Sequence, residues 1–189
     1  MAERPTTSDL KSLLKKENER LAYGSKLRST IYILIIVAAF AILVSTLVLP
    51  MFRIYGSSMT PTLHEGDIVA AVRSTEFKHG DLIAFYYNNK LLVKRVIAMP
   101  GEWVDIDQQG YVYVNNVRLV EPYVDDFSYD DCTIELPYQV PENRIFVMGD
   151  HRSSSIDSRV QEIGCISEDL IAGKLIVRIW PLGQISLYQ

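Results

Sequence analysis

The sequence predicts an all-β domain preceded by one N-terminal transmembrane helix. The first observation behind this prediction is a long apolar run without a charge, residues 31–49 of a 189-residue chain. The second is the pattern of residues 50–189, where short strand-like runs alternate with Gly, Pro and Asn turn signals. Many short strands at even spacing are typical of a barrel or of coiled antiparallel sheets. A content of 48% hydrophobic and 22% charged residues suits one modest domain plus an anchor.

The N-terminal segment, residues 1–30, is polar and carries seven Lys/Arg against four Asp/Glu, a local charge of +3. Because the whole chain has a net charge of −4, residues 31–189 carry −7. The only basic cluster therefore adjoins the apolar run, and this charge distribution does not indicate nucleic-acid binding. We interpret residues 1–30 as a cytoplasmic tail.

The apolar run at residues 31–49 is nineteen residues long. As a helix it spans roughly 28 Å, close to the roughly 30 Å of bilayer hydrocarbon. A cleaved signal peptide is a poor alternative, because the preceding polar segment is too long and no Ala-x-Ala site closes the run. Lys26 and Arg28 precede the run and only Arg53 follows it closely. The positive-inside rule then predicts a cytoplasmic N-terminus and an extracytoplasmic domain at residues 50–189.

The β domain is predicted from apolar, β-branched and aromatic runs bounded by turn residues. Hairpin turns are expected at residues 108–110 and 115–116. Residues 121–143 are acidic and aromatic and break the pattern, so we expect a short insertion on the surface. The predicted strands are residues 67–73, 82–87, 91–98, 103–107, 111–114, 117–120, 144–148 and 172–180.

A candidate nucleophile, Ser58, lies in the segment 54–63, which combines small residues and a proline with apolar neighbours. A serine hydroxyl is a weak nucleophile and needs a base. The chain has three histidines, His64, His79 and His151, and none has a recognisable triad setting.

Lys94 is the alternative base, since Leu, Val, Ile and Ala residues surround it in a predicted strand. Burial disfavours an ammonium, so the pKa falls and the free amine becomes available near neutral pH. Strand alternation places Lys94 and Arg95 on opposite faces, and we expect one of the two cations to face the interior. On this pair alone, two solvated cations on an edge strand are the better interpretation.

Four short motifs, taken together in their order along the chain, favour a catalytic role for Ser58 and Lys94 over an ordinary turn serine and a solvated lysine. They are Ser-Met-x-Pro-Thr-Leu at 58–63, Gly-Asp at 80–81, Lys-Arg-Val-Ile with Pro-Gly-Glu at 94–102, and Gly-Asp-x-Arg with Ser-x-Asp-Ser-Arg at 149–159. In this set the chain resembles the bacterial type I signal peptidases, in their compact single-span form typical of Gram-positive bacteria. The resemblance implies a serine endopeptidase of the plasma membrane that cuts signal peptides from exported pre-proteins after small residues at −3 and −1.

The resemblance also assigns the catalytic roles. Ser58 would be the nucleophile that forms an acyl-enzyme, and Lys94 would be the neutral general base. The backbone N–H of Ser58 is the expected oxyanion donor. Some relatives add a serine hydroxyl two residues before the nucleophile, but this chain has Gly56 there, so the second donor stays open.

Three further residues match supporting positions of the family. Ser155 would orient the lysine, and Asp157 and Arg159 would support the site by a salt bridge. Asp150 and Arg152 are interpreted as scaffold residues. An extended substrate could add as a strand to a sheet edge. By resemblance, shallow apolar pockets for its small residues would be formed by Phe52, Ile54, Met59, Leu63, Leu92 and Val93.

The expected partners are pre-proteins with a signal peptide and the lipid bilayer. No ligand cluster indicates a metal and no Gly-rich loop a nucleotide, so no cofactor is expected. Cys132 and Cys165 both fall in the extracytoplasmic region, where a disulfide is permitted, but the sequence leaves their pairing open.

Two other functions are compatible with parts of the sequence. A self-cleaving Ser-Lys peptidase of the repressor type is disfavoured by the apolar run and by the lack of a DNA-binding segment. A catalytically inactive relative that assists assembly of surface proteins is disfavoured because such relatives tend to lose the serine or the lysine, and this chain keeps both.

Overall fold

The computed structural model describes residues 24, 26–43, 49–130 and 132–188. They belong to two compact units, residues 1–47 and 48–189. Most of the predicted tail and part of the predicted span, residues 44–48, lie outside the described residues.

The first unit contains helix α1 (Lys26–Leu43), whose 18 residues are long and apolar enough to cross a membrane by length and composition. None of its apolar window is buried against other parts of the protein. The helix includes residues before the predicted start at 31, and Thr30 Oγ1 donates a 3.0 Å hydrogen bond to the Lys26 carbonyl. Leu49, the predicted end, lies in a bend, as expected for a residue before a proline.

The second unit is built from short strands. All eight predicted strands are present, and the sequence missed four further short ones, Met51–Arg53, Tyr138–Gln139, Ile166–Ser167 and Ser186–Leu187. Two 3₁₀ turns, Glu168–Leu170 and Leu182–Gln184, flank the long strand Ile171–Trp180. The strands in chain order are β1 (Met51–Arg53), β2 (Ile68–Val72), β3 (Leu82–Tyr87), β4 (Lys90–Ala98), β5 (Trp103–Ile106), β6 (Val112–Val114), β7 (Val117–Arg118), β8 (Tyr138–Gln139), β9 (Arg144–Met148), β10 (Ile166–Ser167), β11 (Ile171–Trp180) and β12 (Ser186–Leu187).

The strands form two antiparallel sheets. The larger has the order β1-β2-β11-β3-β4-β9-β10, with β12 paired to β11, and the smaller has the order β7-β6-β5-β8. Strand β1 therefore ends the larger sheet and, within the described residues, pairs with β2 alone. The prediction of an all-β domain of antiparallel sheets is confirmed.

Strand β4 is covered on both faces. Leu91 and Val93 pack against one buried apolar cluster, and Leu92 with Val96 belongs to another. Lys94 and Arg95 are consequently both buried, at 3% and 9% exposure. The sequence predicts that one of the two cations faces the interior, and the structure buries both, because alternation assumes a solvent face that this strand does not have.

The tight turns between neighbouring strands contain asparagine or glycine residues with a positive φ. Asn115 and Asn116 join β6 to β7 with φ of 51° and 66°, the left-handed values of a tight hairpin turn. Gly110 also has a positive φ of 84°, and both predicted turns are confirmed. Asn88 and Asn89 form the same kind of turn between β3 and β4, with φ of 45° and 61°.

The segment 121–143 is not the surface insertion that the sequence predicts. Glu121, Val124 and Val140 are all buried, at 7%, 6% and 1% exposure. Strand β8 pairs with β5 and so belongs to the smaller sheet. Acidic composition misleads here because the carboxylate of Glu121 forms a buried ion pair with Arg152.

Candidate active site

The candidate site is a groove of about 360 Å³ between β1 and β4. Ser58 and Lys94 both line it. Strand β1 is paired on one side by β2, and residues 91–94 of β4 are paired by β3, while the register with β9 begins only at Arg95. Two strand segments with an unpaired edge therefore border the groove.

Ser58 is half-buried at the start of the loop that follows β1. Two residues earlier, Gly56 has a φ of +82°, which L side chains rarely adopt. The carbonyl of Ser58 accepts a 3.2 Å hydrogen bond from the backbone N–H of His151. This bond fixes the loop of Ser58 against the segment 149–159.

Gly149 makes this contact possible. A Cβ atom on Gly149 would lie 2.2 Å from Ser155 Oγ and 2.5 Å from the carbonyl oxygen of Ser58. These distances are shorter than van der Waals contact, so only glycine fits without a shift. The motif glycine is therefore a packing requirement of the site.

Lys94 points its amine into this buried environment. Its Nζ donates a 2.8 Å hydrogen bond to Ser155 Oγ. Burial lowers the pKa of Lys94 to about 8, although the nearby carboxylate of Asp157 opposes the shift. A substantial fraction of the neutral amine is therefore present at mildly alkaline pH, as a general base requires.

Asp157 anchors the residues around the lysine. Its Oδ2 accepts hydrogen bonds from Ser155 Oγ at 2.7 Å and from the Gly149 N–H at 3.0 Å. Its Oδ1 accepts a 2.9 Å hydrogen bond from Arg159 Nε. Burial would raise the pKa of Asp157, but the hydrogen bond and charge of Arg159 outweigh burial and hold that pKa below its usual range. Ser155 is thereby fixed as an acceptor for Lys94.

Five of the six residues predicted to contact substrate line the groove, and the sixth does not. Leu63 is fully buried, at 0% exposure, in the core cluster beneath the groove. It supports the pocket floor and cannot contact a substrate there. The groove residues from the prediction are Phe52, Ile54, Met59, Leu92 and Val93.

A second buried network surrounds Asp150, which the sequence predicts as a scaffold residue without its partners. Arg95 donates to Asp150 at 2.8 and 2.6 Å, and Thr62 Oγ1 donates to the same carboxylate. The guanidinium of Arg95 also lies 3.8 Å from the centroid of the Tyr123 ring. This network joins the loop that follows β1, the lysine strand and the segment 149–159. The charged residues of this network, Arg95 and Asp150, lie in the Lys-Arg and Gly-Asp motifs. The contact of Thr62 with Asp150 could not be predicted, because no sequence periodicity relates the two positions.

The two cysteines are free thiols. Cys165 is buried in a core cluster, and Cys132 packs against that cluster. Burial raises the pKa of both thiols, for Cys165 to about 11. Neither is therefore a thiolate nucleophile near neutral pH.

A serine hydroxyl and a buried amine of lowered pKa in the wall of one groove are suited to acyl transfer with a covalent intermediate. The chain is accordingly a hydrolase of the serine protease class. Residues 27–180 match the model of a family described as "Signal peptidase, peptidase S26", and the chain belongs to that family.

Individual relatives agree with the family match. The chain is 29% identical to signal peptidase I T of Bacillus subtilis (strain 168), over 97% of each chain. It is 33% identical to signal peptidase IB of Staphylococcus aureus (strain Mu50 / ATCC 700699), over 81% of this chain and 90% of that one. The crystal structure of a signal peptidase I from Enterococcus faecalis V583 aligns with a TM-score of 0.44 at 30% identity, over 52% of this chain and 96% of that chain.

Proposed function

We propose that this chain is a membrane-anchored endopeptidase that removes N-terminal signal peptides from exported pre-proteins. The observation that carries the proposal is the buried amine of Lys94, which shares the wall of one groove with Ser58. Its pKa, lowered to about 8 by burial, makes it a base that works without histidine. Relatives named signal peptidase I supply the substrate class.

The reaction proceeds in two steps. Lys94 Nζ takes the proton of Ser58 Oγ as that oxygen attacks the scissile carbonyl carbon, and the protonated amine then gives the proton to the departing amine of the mature protein. A water molecule, deprotonated by Lys94, hydrolyses the ester and releases the signal peptide. The backbone N–H of Ser58 stabilises the oxyanion, and Gly56, which lines the groove two residues earlier, has no hydroxyl to serve as a second donor.

Substrate binds in an extended conformation along the unpaired strand edges of the groove. Main-chain hydrogen bonds to a sheet edge supply affinity, and alternate side chains enter pockets. The floor is apolar, with Phe52, Ile54 and Met59 contributing to it. A shallow floor of this kind accommodates small side chains at −1 and −3.

Helix α1 anchors the enzyme in the plasma membrane as a single span. Its apolar window is unburied and carries the length and composition of a span. Lys26 and Arg28 at its start favour a cytoplasmic N-terminus and an extracytoplasmic catalytic domain. This arrangement puts the protease on the side where exported pre-proteins emerge.

The test is cleavage of a purified pre-protein by the full chain in detergent, with mass spectrometry of the products. We expect one cut after a small residue at the end of the signal peptide, lost in Ser58→Ala and in Lys94→Ala. Lys90→Ala is the matched control, because Lys90 is an exposed lysine on the same strand.

Three results would overturn the proposal. No cutting by folded wild type would favour the assembly-factor function. Cutting of the enzyme's own chain alone would favour a self-cleaving peptidase. Full activity of either dyad variant would remove that residue from the mechanism.

A further inference from the structure

The unpaired edge of β1 presents alternate residues to the groove. The N–H of Ile54 donates to the Asp67 carbonyl at 2.8 Å, and the Ile54 carbonyl accepts from the Gly66 N–H at 2.9 Å. In an antiparallel pair alternate residues hydrogen-bond to one neighbour. The main-chain groups of Arg53 and Tyr55 therefore point to the open edge, where a substrate strand would add.

The side chains of this strand also alternate. Phe52 and Ile54 turn toward the core cluster, whereas Met51, Arg53 and Tyr55 are exposed. All five residues border the groove. The Arg53 guanidinium carbon lies 5.8 Å from the centroid of the Tyr55 ring, within the range of a cation–π contact. Tyr55 thus helps to hold the guanidinium at the rim of the groove.

The charge of Arg53 is not compensated. No acidic residue lines the groove, and among the described residues Arg53 has no carboxylate within salt-bridge distance. The other cationic side chain of the groove wall, Lys94, is buried and hydrogen-bonded to Ser155 Oγ, whereas Arg53 is exposed. Arg53 is therefore the cation that the groove presents at its outer rim.

A bound substrate strand has the same alternation as β1. If the side chains at −1 and −3 enter the floor, those at −2 and −4 face outward, on the side of Arg53 and Tyr55. Resting on the proposed function, we infer that Arg53, held by Tyr55, forms a subsite that favours an acidic side chain at −2 or −4 of the signal peptide and disfavours a basic one.

The experiment uses the full chain in detergent and a set of peptides that differ only in Glu or Lys at −2 or at −4. A matched pair carries the same change several residues beyond the cut, where it alters net charge but not the subsite. For the wild type we expect kcat/KM to favour Glu over Lys by about two- to fivefold at −2 or −4 at low salt, the size of an exposed ion pair. The preference should shrink as salt is raised.

Arg53 variants decide the origin of that preference. The Glu/Lys ratio should fall to about one in Arg53→Gln and invert in Arg53→Glu, while Arg73→Gln, at another exposed arginine, keeps the wild-type ratio. Each ratio is internal to one variant, so a general change in activity cancels.

The outcomes separate the inference from the proposed function. Cleavage of all peptides with a ratio unaffected by Arg53 would overturn the subsite alone. The Arg53→Gln variant is also assayed in vesicles with anionic lipid. An equal loss on all peptides there, absent in detergent and with an unchanged Glu/Lys ratio, would assign Arg53 to lipid headgroups and overturn the subsite. Failure of wild type to cut any of the peptides would overturn the proposed function and the inference with it.

Discussion

Lys94 Nζ donates a 2.8 Å hydrogen bond to Ser155 Oγ, 61 residues further along the chain. Ser155 Oγ in turn donates to Asp157 Oδ2 at 2.7 Å, so its own proton is committed and its oxygen is left to accept from the lysine. The amine is thus held in one orientation while Asp157 is neutralised by Arg159. This relay turns a flexible lysine side chain into a positioned base.

We predict that Ser155→Ala lowers kcat by about 10- to 100-fold, because a hydrogen bond to a charged or catalytic group is worth about 1.5–3 kcal/mol. The Ser155 side chain is buried and does not line the groove, so KM should change little. Steady-state kinetics of the full chain measure both constants. Ser154→Ala is the control, since Ser154 is exposed on the same segment. An unchanged kcat in Ser155→Ala would show that burial alone orients the lysine.

The pH dependence of kcat/KM should report the pKa of Lys94 in the free enzyme. The neutral amine is the active form, so the rate should rise about tenfold per pH unit while the ammonium predominates and level off above the pKa. Burial lowers that pKa from 10.5 to about 8, and this pKa sets the pH at which the rate stops rising. A rate that still climbs steeply above pH 9 would indicate a solvated lysine and contradict the burial.

The direction of the electrostatic effect on Lys94 can be tested at Asp157. The carboxylate of Asp157 favours the ammonium form and so raises the pKa of Lys94, in opposition to burial. Asp157→Asn removes that attraction and leaves the Arg159 charge unpaired beside the amine. Both effects lower the pKa of Lys94, so the rise of kcat/KM with pH should occur at lower pH in any folded variant. Movement to higher pH would contradict this electrostatic account.

Gly149→Ala should damage catalysis through packing. The added Cβ meets Ser155 Oγ and the carbonyl of Ser58, and overpacking of this kind costs about 1–3 kcal/mol. We expect a lower melting temperature and a lower kcat, because the two displaced groups belong to the base and the nucleophile. Gly183→Ala is the matched control, since a Cβ there meets nothing within 4 Å. Equal behaviour of the two variants would show that the segment shifts without cost.

The sequence was sufficient for the main features of the fold, because these depend on local patterns. Asn115 and Asn116, for example, predict their turn by backbone preference. The site needed more than local signals, since the apolar neighbours of Lys94 alone left a solvated lysine open until the four motifs were taken together. The structure brings Ser58 and Lys94 to one groove, and their catalytic roles stay predictions.

The failures share one cause, which is that burial depends on what packs from elsewhere in the chain. Arg95 is buried because Asp150 accepts two of its hydrogen bonds, a contact across 55 residues. Leu63 lies within the segment that carries the nucleophile yet belongs to the core beneath it. The sequence predicts a solvated carboxylate at Glu121, whereas the fold places Arg152 beside it in a buried ion pair.

Glu121 gives the last prediction. Its carboxylate pairs with Arg152, both side chains are at most 1% exposed, and Tyr123 Oη donates to it at 3.1 Å. Glu121→Ala leaves a buried guanidinium unpaired, so we expect a loss of about 3–5 kcal/mol in the free energy of unfolding. Arg152 Nε also donates to the Gly149 carbonyl at 3.0 Å, so activity should fall together with stability.

Chemical unfolding of the full chain in detergent measures this loss. Glu142→Ala is the control, because Glu142 is exposed in the same stretch of chain, and its effect should stay within about 0.5 kcal/mol. If Glu121→Ala costs no more than this control, the buried pair contributes nothing to the stability of the fold. A large loss in Glu121→Ala alone would instead make this segment a structural support of the catalytic residues.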